Sequence, residues 1–324
     1  MSSKVNRRSV LLAAFSTGLA TQTSTLLATD FSSPDDVLEL WPNGAPGAPN
    51  DPPKETLVER STDASAKDRA VTGITNPRLH VFRPDSPNGS AVLVMPGGGY
   101  QRVVIDKEGY EIGRWLSARG YTVFVLFYRL PGDGWAAGPD VSLSDAQRAM
   151  RLIRSRAAAF DIDENRVAAM GFSAGGHVST SLATRFDAPI YSPVDPADGL
   201  SARPLAAAHI YPVVSMSAPV AHQGSRRNLL GDETSSSLEF EYSSQNNVTA
   251  GTPPCFLLHA EDDASVSVDN SLQLRAALKA HGVPVETHLF THGGHGFGLR
   301  KTAGKPVAIW PELFVNWAGS VGLT

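Results

Sequence analysis

The residue pattern with the clearest chemical meaning is Gly171-Phe-Ser-Ala-Gly175, which places Ser173 in a Gly-x-Ser-x-Gly frame. A short apolar run precedes it and a helix-like segment follows, as in a sharp strand-to-helix turn that presents a nucleophilic serine. Gly171 and Gly175 suit such a turn because a residue without a Cβ tolerates its crowding and unusual φ. A serine hydroxyl is a poor nucleophile near neutral pH, so Ser173 would need a base and a group that orients the base.

The candidate base is His295, within the segment Thr291-His-Gly-Gly-His-Gly-Phe-Gly298 that follows an apolar run. The glycines beside it would allow the loop to fold back across a sheet edge toward Ser173. His292 is the alternative base. The histidines at 288, 292 and 295 could suggest a metal cluster, but His288 lies in a predicted strand and no Asp or Glu separates them. We therefore predict no metal site and no cofactor.

The candidate orienting acids lie in His259-Ala-Glu-Asp-Asp263, directly after another apolar run. Successive residues leave a strand end in opposite directions, so only one of Asp262 and Asp263 should face the base. With either acid, Ser173, the carboxylate and His295 follow one another in the order serine, acid, histidine. That order is one of the known arrangements of a catalytic triad.

A glycine-rich turn, Met95-Pro-Gly-Gly-Gly-Tyr100, follows a further apolar run. It lacks the Lys-Ser/Thr pair of a phosphate-binding loop. Together with the serine turn it predicts an oxyanion loop of the His-Gly-Gly-Gly type, with proline in the place of the histidine. We predict the backbone N–H groups of Gly98 and Gly99 as donors, completed by the N–H of Ala174. Gly97 would shape the turn.

These motifs lie on a chain in which apolar runs alternate with amphipathic segments. The predicted strands cover residues 79–83, 91–95, 121–127, 166–171, 206–214, 255–260 and 285–290, and the predicted helices cover 107–118, 144–160, 175–184, 268–281 and 310–321. Such alternation predicts an α/β fold, a doubly wound and mostly parallel sheet flanked by helices. Residues 186–204 and 215–250 are the predicted insertions over the carboxyl edge of the sheet, where such folds bind ligands.

The motifs together resemble the serine esterases of the α/β-hydrolase fold, in particular a bacterial group labelled acetylxylan esterase or xylanase-associated esterase. The resemblance runs from Trp41-Pro-Asn-Gly to the C-terminus, and its further markers are Pro96-Gly-Gly-Gly-Tyr, Phe127-Tyr-Arg-Leu-Pro131, Asp145-Ala-Gln-Arg-Ala, Gly171-Phe-Ser-Ala-Gly-Gly-His177, Ser225-Arg-Arg-Asn-Leu-Leu-Gly231 and Gly293-Gly-His-Gly-Phe-Gly298. It favours Asp263 as the triad acid, because the following Ala-Ser-Val resembles the Asp-x-x-Val turn of related hydrolases.

The resemblance implies a serine carboxylic-ester hydrolase that forms an acyl-enzyme on Ser173 and needs no cofactor. Its expected substrate is a small ester or an acetylated plant polysaccharide such as xylan, with acetyl groups preferred over long acyl chains. A feruloyl esterase or a general short-chain carboxylesterase is the alternative. A non-catalytic binding protein of the same fold would have lost a triad member, and none is missing.

Aromatic residues near the motifs are the candidate walls of a substrate pocket, since aromatic rings suit sugar faces and small acyl groups. They are Tyr100, Trp135, Tyr211 and Phe297. Arg226 and Arg227 are interpreted either as contacts to a sugar or acidic group or as a pair that anchors a loop. His177 is expected to be packed and hydrogen-bonded, and Arg129 with Asp145 to form a structural ion pair.

The sequence predicts three segments: an export signal at 1–28, a Pro-rich arm at 29–70 and a catalytic domain at 71–324. Within the first, Arg7-Arg8 precedes the modest apolar stretch Val10–Ala20, which resembles a twin-arginine signal and predicts a periplasmic or secreted protein. The arm is expected to cross the domain surface, anchored by Leu38, Leu40 and Trp41.

Composition excludes several classes of protein. The chain has 324 residues, 42% of them hydrophobic, and a single cysteine, which excludes an internal disulfide framework. Its formal charge of −4 would become −7 without residues 1–28, which carry three basic and no acidic side chains. An acidic chain without a basic tract predicts no nucleic-acid partner. No apolar run is long enough for membrane insertion of the mature chain.

Overall fold

The predicted alternation of strands and helices is present in the computed structural model, which describes residues 33–63 and 66–324. The export signal predicted at 1–28 lies outside the described residues. The strands are β1 (Asp36–Glu39), β2 (Thr56–Glu59), β3 (Arg69–Thr72), β4 (Arg78–Phe82), β5 (Ala91–Met95), β6 (Val103–Val104), β7 (Thr122–Phe127), β8 (Val167–Phe172), β9 (Ala207–Ile210), β10 (Cys255–Ala260) and β11 (Val285–Phe290). The α-helices are α1 (Glu111–Ser117), α2 (Val141–Ser155), α3 (Ser173–Thr184), α4 (Gln223–Leu230), α5 (Ser236–Glu241), α6 (Asp269–Ala280) and α7 (Trp310–Ser320).

The central sheet has eight strands in the order β1-β4-β7-β5-β8-β9-β10-β11. From β7 to β11 every neighbouring pair is parallel, whereas β4 pairs antiparallel with β7 and β1 antiparallel with β4. A smaller antiparallel sheet contains β2, β3 and β6. The predicted α/β fold, with a mostly parallel sheet flanked by helices, is confirmed.

The middle of the sheet forms the core and brings two of the predicted motifs together. All residues of β5, β7, β8 and β10 are buried, as expected for strands covered by helices on both faces. In the register of β5 and β8, Met95 lies opposite Gly171. The glycine-rich turn and the serine turn therefore leave the carboxyl edge of the sheet side by side.

Two predicted elements differ from the structure. The strand predicted at 285–290 was expected to be buried, but β11 is the last strand of the sheet and its residues are exposed or half-buried. The helix predicted at 107–118 begins as one turn of π-helix, Asp106–Tyr110, and continues as α1. Among the helices of the described ranges, none has both the length and the apolar character that crossing a membrane requires.

The Pro-rich arm contributes directly to both sheets. Strand β1 extends the central sheet and β2 pairs with β3 in the smaller one. Leu40 and Trp41 are buried, and the Trp41 indole donates a hydrogen bond to Asp145 Oδ1 at 2.8 Å. The Arg148 guanidinium donates to the carbonyl of Leu40 at 2.9 Å. The described part of the arm is therefore joined to the rest of the fold through its sheets and its core.

Arg129 and Asp145 form the structural ion pair that the sequence predicts. Their side chains are buried, and the guanidinium donates three hydrogen bonds to the carboxylate, at 2.7, 3.0 and 3.1 Å. The neighbouring Tyr128 hydroxyl donates to the carbonyl of Pro96 at 2.7 Å. Because buried charges need paired, hydrogen-bonded partners, this cluster gives rigid support to the glycine-rich turn that begins at Pro96.

Two buried histidines predict a loss of stability in mild acid. Burial lowers the pKa of His177 to about 4 and that of His209 to about 3. Unfolded histidine has a pKa of about 6.5, so between that value and each folded pKa the unfolded chain binds more protons. The free energy of unfolding should therefore fall as the pH drops from 6.5 toward 4, by up to about 1.4 kcal/mol per pH unit for each histidine.

Urea unfolding at several pH values, comparing the wild type with His209→Asn, measures this effect. The variant should be less stable at pH 7, because the Nδ1 of His209 lies 2.7 Å from the Ser179 hydroxyl. Its stability should nevertheless depend less steeply on pH. His281→Asn, at an exposed histidine, is the matched control and should keep the wild-type slope. Identical slopes for the wild type and His209→Asn would contradict the prediction.

Candidate active site

Ser173 lies at a sharp turn between β8 and α3. Its φ of 53° is in the left-handed region, which is rare for a residue with a side chain. A Cβ at Gly171 would lie 2.2 Å from the Gly175 carbonyl oxygen, and a Cβ at Gly175 would lie 2.1 Å from the Met95 oxygen. Both positions therefore require glycine. The turn leaves Ser173 8% exposed, at the carboxyl edge of the sheet.

The structure brings Ser173, His295 and Asp263 together. The Ser173 Oγ lies 2.8 Å from the His295 Nε2, and the His295 Nδ1 lies 2.7 Å from the Asp263 Oδ2. With Nδ1–H donated to the carboxylate, the Nε2 of the neutral ring can accept the serine proton. These contacts join residues 122 and 32 positions apart in the chain, so only the sheet topology unites them.

The two neighbouring carboxylates face different partners. The buried Asp263 side chain accepts hydrogen bonds from the backbone N–H groups of Ser265 and Val266, both at 2.9 Å, in addition to His295. Burial alone would raise the pKa of Asp263. Hydrogen bonds, first from His259 and then from His295, outweigh burial and hold that pKa below its usual range. Asp263 is therefore ionised at neutral pH and can stabilise a protonated His295.

Asp262 holds the loop that carries the histidine rather than the histidine itself. Its Oδ1 accepts from the backbone N–H groups of Gly293 and Gly294 at 2.8 and 2.7 Å, and these bonds lower its pKa. The side chain is 42% exposed. His292, the alternative base, lies 3.6 Å from Asp262 and is largely exposed. Asp262 and His292 thus form a surface contact beside the site.

A second histidine contacts Asp263, and the sequence did not reveal it. The buried His259 places its Nε2 3.2 Å from Asp263 Oδ2 and 3.0 Å from the Val266 carbonyl. Facing two acceptors, this nitrogen carries the proton. Its Nδ1 accepts from the Ser271 hydroxyl at 2.8 Å. His259 lies four residues before Asp263 at the end of β10, and that spacing was the only sequence signal.

In the glycine-rich turn one backbone N–H is hydrogen-bonded within the described part of the protein and the next two are not. The N–H of Gly97 donates to Glu108 Oε2 at 2.9 Å. Within residues 33–63 and 66–324, no atom accepts a hydrogen bond from the N–H of Gly98 or Gly99. The N–H of Ala174 points out of the first turn of α3, where helix geometry leaves it without a partner in the helix. These three N–H groups can bind a developing oxyanion.

The predicted pocket aromatics are buried, and two of those interpretations are wrong. Tyr211 and Phe297 are 0% exposed and cannot line an open pocket. The Tyr211 ring packs edge-on against His295 at a centroid distance of 5.0 Å, and Phe297 packs against Tyr211 at 4.6 Å. They support the His295 loop from behind. The sequence placed these rings near the site, but burial depends on tertiary packing that a linear pattern does not encode.

Tyr100 and Trp135 are also nearly buried. The Tyr100 hydroxyl lies 2.6 Å from the Nδ1 of His177, whose Nε2 donates to the Tyr242 carbonyl at 2.7 Å. His177 is therefore packed and hydrogen-bonded, as predicted. The Arg129 guanidinium lies over the Trp135 ring, with its Cζ 4.7 Å from the ring centroid. Both aromatic residues stabilise the loops around Ser173 and expose little of their surface to a ligand.

The insertion at 215–250 lies against the site through α4. Asn228 donates to the carbonyl of Gly99 at 2.8 Å. His222 caps the start of α4, and its pKa is lowered mainly by burial and secondarily by the charge of His295. Arg226 pairs with Glu239 at 2.6 Å, and Arg227 with Asp232 at 2.9 Å. Of the two interpretations of these arginines, the structure therefore supports the loop-anchoring one.

The described ranges contain no group of three or more His, Cys, Asp or Glu side chains placed to hold a metal ion. The sheet topology, the serine turn and the side chains gathered at its edge define an α/β-hydrolase of the esterase type. The chain belongs to the BD-FAE family, whose model matches residues 79–278.

Two curated proteins and one crystal structure illustrate what this chain is similar to. An acetylxylan esterase of Xylanibacter ruminicola is 36% identical over 223 residues, which cover 67% of this chain and 43% of that protein. An endo-1,4-beta-xylanase B of Butyrivibrio fibrisolvens is 33% identical over 235 residues, covering 72% and 35%. The chain thus spans less than half of the length of these relatives.

The crystal structure is that of an acetyl ester-xyloside bifunctional hydrolase from Caldicellulosiruptor lactoaceticus. It is 36% identical to this chain, with a TM-score of 0.72, and the match covers 90% of this chain and 98% of that one. The resemblance of the sequence to acetylxylan and xylanase-associated esterases is confirmed by these matches.

Proposed function

We propose that the protein is a serine carboxylic-ester hydrolase that removes acetyl groups from plant polysaccharide such as xylan. The observation that carries the proposal is the chain of contacts from the Ser173 Oγ to His295, at 2.8 Å, and from His295 to Asp263, at 2.7 Å. The similarity to an acetylxylan esterase and to an acetyl ester-xyloside hydrolase supports the choice of substrate.

The proposed reaction is a two-step acyl transfer. His295 takes the proton of Ser173 as the serine oxygen attacks the ester carbonyl, and Asp263 stabilises the positive charge of the imidazole. The tetrahedral oxyanion accepts hydrogen bonds from the free N–H groups of Gly98, Gly99 and Ala174. His295 then protonates the departing alcohol. Water, activated by the same imidazole, hydrolyses the acyl-enzyme and releases acetate.

Chain-length preference tests the acyl part of the proposal. We expect kcat/KM to be highest for p-nitrophenyl acetate, lower for butyrate and lowest for octanoate, because Ser173 is 8% exposed and the aromatic residues behind it are fully packed. Steady-state rates on the three esters measure this order, with Ser173→Ala as the background. An octanoate rate above the acetate rate would exclude an acetyl esterase.

The alcohol part of the proposal needs a second comparison. Acetate release from acetylated xylan should exceed ferulate release from methyl ferulate at equal enzyme concentration. The reverse result would favour a feruloyl esterase, the alternative that the same fold and triad allow.

We also propose that residues 1–28 direct export, on the basis of the Arg7-Arg8 pair and the apolar stretch after it. Cell fractionation with Arg7→Lys/Arg8→Lys as control tests that point.

A further inference from the structure

A buried carboxylate, Glu108, has no part in the acyl transfer described above. It lies in the π-helical turn Asp106–Tyr110, just before α1, and is 3% exposed. Its Oε2 accepts the N–H of Gly97 at 2.9 Å, and its Oε1 accepts the hydroxyl of Tyr211 at 3.0 Å. Burying a carboxylate is costly unless its oxygens are hydrogen-bonded, and here each oxygen meets one donor.

The two donors belong to the two halves of the candidate site. Gly97 begins the glycine-rich turn, and a Cβ there would lie 2.9 Å from the Cβ of Ser173. Tyr211 packs edge-on against the His295 ring at 5.0 Å, and its hydroxyl accepts the N–H of Gly298 at 3.2 Å. Glu108 therefore connects the oxyanion turn to the loop that carries His295, through a contact with Tyr211, which lies 103 residues further along the chain.

The same π-helical turn also fits closely beneath the histidine loop. A Cβ at Gly298 would lie 2.8 Å from both the Cγ and the carbonyl oxygen of Lys107. A Cβ at Gly296 would lie 3.2 Å from the Lys107 Nζ. Gly97 is equally tight, since a Cβ there would lie 2.7 Å from Glu108 Oε2. The turn thus contacts both loops closely, through Lys107 at Gly298 and through the Glu108 carboxylate at Gly97.

We propose that Glu108 is a positioning residue for the hydrolysis, a role that rests on the proposed function. Through Gly97 it orients the peptide groups that follow, whose N–H groups face the oxyanion, and through Tyr211 it holds the imidazole of His295 at the serine. A displacement of the reacting groups by about 1 Å can lower the rate about 10²-fold. Removal of one oxyanion donor has an effect of about 10²–10³-fold.

The chemistry of the contacts predicts which replacement should restore function. In Glu108→Gln the amide oxygen can accept from Gly97, while the amide N–H₂ donates to the Tyr211 oxygen, which has a second lone pair for Gly298. Both loops would keep a tether without the negative charge, but the Tyr211 O–H, which donates to Glu108 Oε1 in the structure, would lose its acceptor, so the recovery should be partial. In Glu108→Ala both tethers are lost and the Gly97 N–H is left unpaired.

Steady-state kinetics on p-nitrophenyl acetate with four enzymes tests the proposal. We expect Glu108→Ala to lower kcat about 10²-fold, with KM changed less than about threefold. The kcat of Glu108→Gln should be at least about tenfold higher than that of Glu108→Ala. Asp106→Ala is the matched control: it removes a buried acid of the same turn whose carboxylate accepts its hydrogen bonds from Arg69 of β3, with the closest ion-pair contact at 2.7 Å. Its kcat should stay within about threefold of the wild type.

Titration with diethyl p-nitrophenyl phosphate counts competent serines, so kcat refers to folded enzyme. If Glu108→Ala does not fold, Tyr211→Phe replaces it, and the loss of its hydroxyl should lower kcat about tenfold. The proposal is overturned if Glu108→Ala, or Tyr211→Phe in its place, keeps wild-type kcat. It is also overturned if Glu108→Gln is no better than Glu108→Ala, or if Asp106→Ala loses as much. Absence of esterase activity in the wild type would instead refute the proposed function.

Discussion

Replacement of Ser173 by alanine is expected to lower kcat for p-nitrophenyl acetate by about 10⁶-fold. The Ser173 Oγ is the oxygen that lies 2.8 Å from the His295 Nε2, and α3 holds it at the end of a strained turn. The remaining activity should come only from binding and the oxyanion donors, which alone still accelerate ester hydrolysis over water.

Kinetics and covalent labelling check this prediction together. A fluorophosphonate probe should add one mass equivalent to the wild type and none to Ser173→Ala. Ser181→Ala is the matched control, since Ser181 lies on the same helix and its hydroxyl makes a long 3.4 Å contact with the Ser244 hydroxyl. It should be labelled and should turn over like the wild type. Labelling of Ser173→Ala, or more than about 1% of wild-type activity in that variant, would remove Ser173 as nucleophile.

Asparagine at position 263 is expected to lower kcat about 10⁴-fold, the effect of forcing the wrong tautomer on a triad histidine. The Asp263 Oδ2 accepts from His295 Nδ1 at 2.7 Å and from His259 Nε2 at 3.2 Å. An amide N–H₂ in place of that oxygen could not accept the hydrogen bonds that His295 and His259 donate. It would also remove the negative charge that stabilises the protonated His295.

Asp262→Asn, one residue away, provides the control for this change. Its amide oxygen can still accept from Gly293 and Gly294, so the histidine loop should keep its shape. We expect a loss below about tenfold in kcat/KM at pH 7. Equal losses in the two variants, or a larger loss at Asp262, would assign the orienting role to the other carboxylate.

The parts of the site that sequence could predict are those encoded over a few residues. The Gly-x-Ser-x-Gly frame around Ser173 has its physical cause in the crowded turn itself, which excludes a Cβ at both glycines. The choice between Asp262 and Asp263 followed from a family resemblance in the three residues after Asp263. Backbone N–H groups of Ser265 and Val266 bind its carboxylate in that same short turn.

The parts that sequence could not predict depend on contacts between distant segments. Nothing near Glu108 indicates that Tyr211 will meet it, and Tyr211 itself was interpreted as a pocket wall because its aromatic ring suits a ligand. His259 resembles any apolar-strand histidine until Asp263 folds against it. In the arm, the strands β1 and β2 were missed because the surrounding prolines dominate the composition, although the prolines flank the strands rather than interrupt them.

The arm has a practical consequence for anyone who shortens this chain. A fragment that begins at residue 71 would lack the edge strand β1 and the indole that donates to the buried Asp145. The fragment would also lose the buried Leu40, and burial of such a side chain stabilises a fold by about 1.5–3 kcal/mol, a large share of the net stability of a typical domain. Expression boundaries, fusion junctions and protease-cleavable tags therefore belong upstream of Asp35, whose backbone N–H already bonds the carbonyl of Val81.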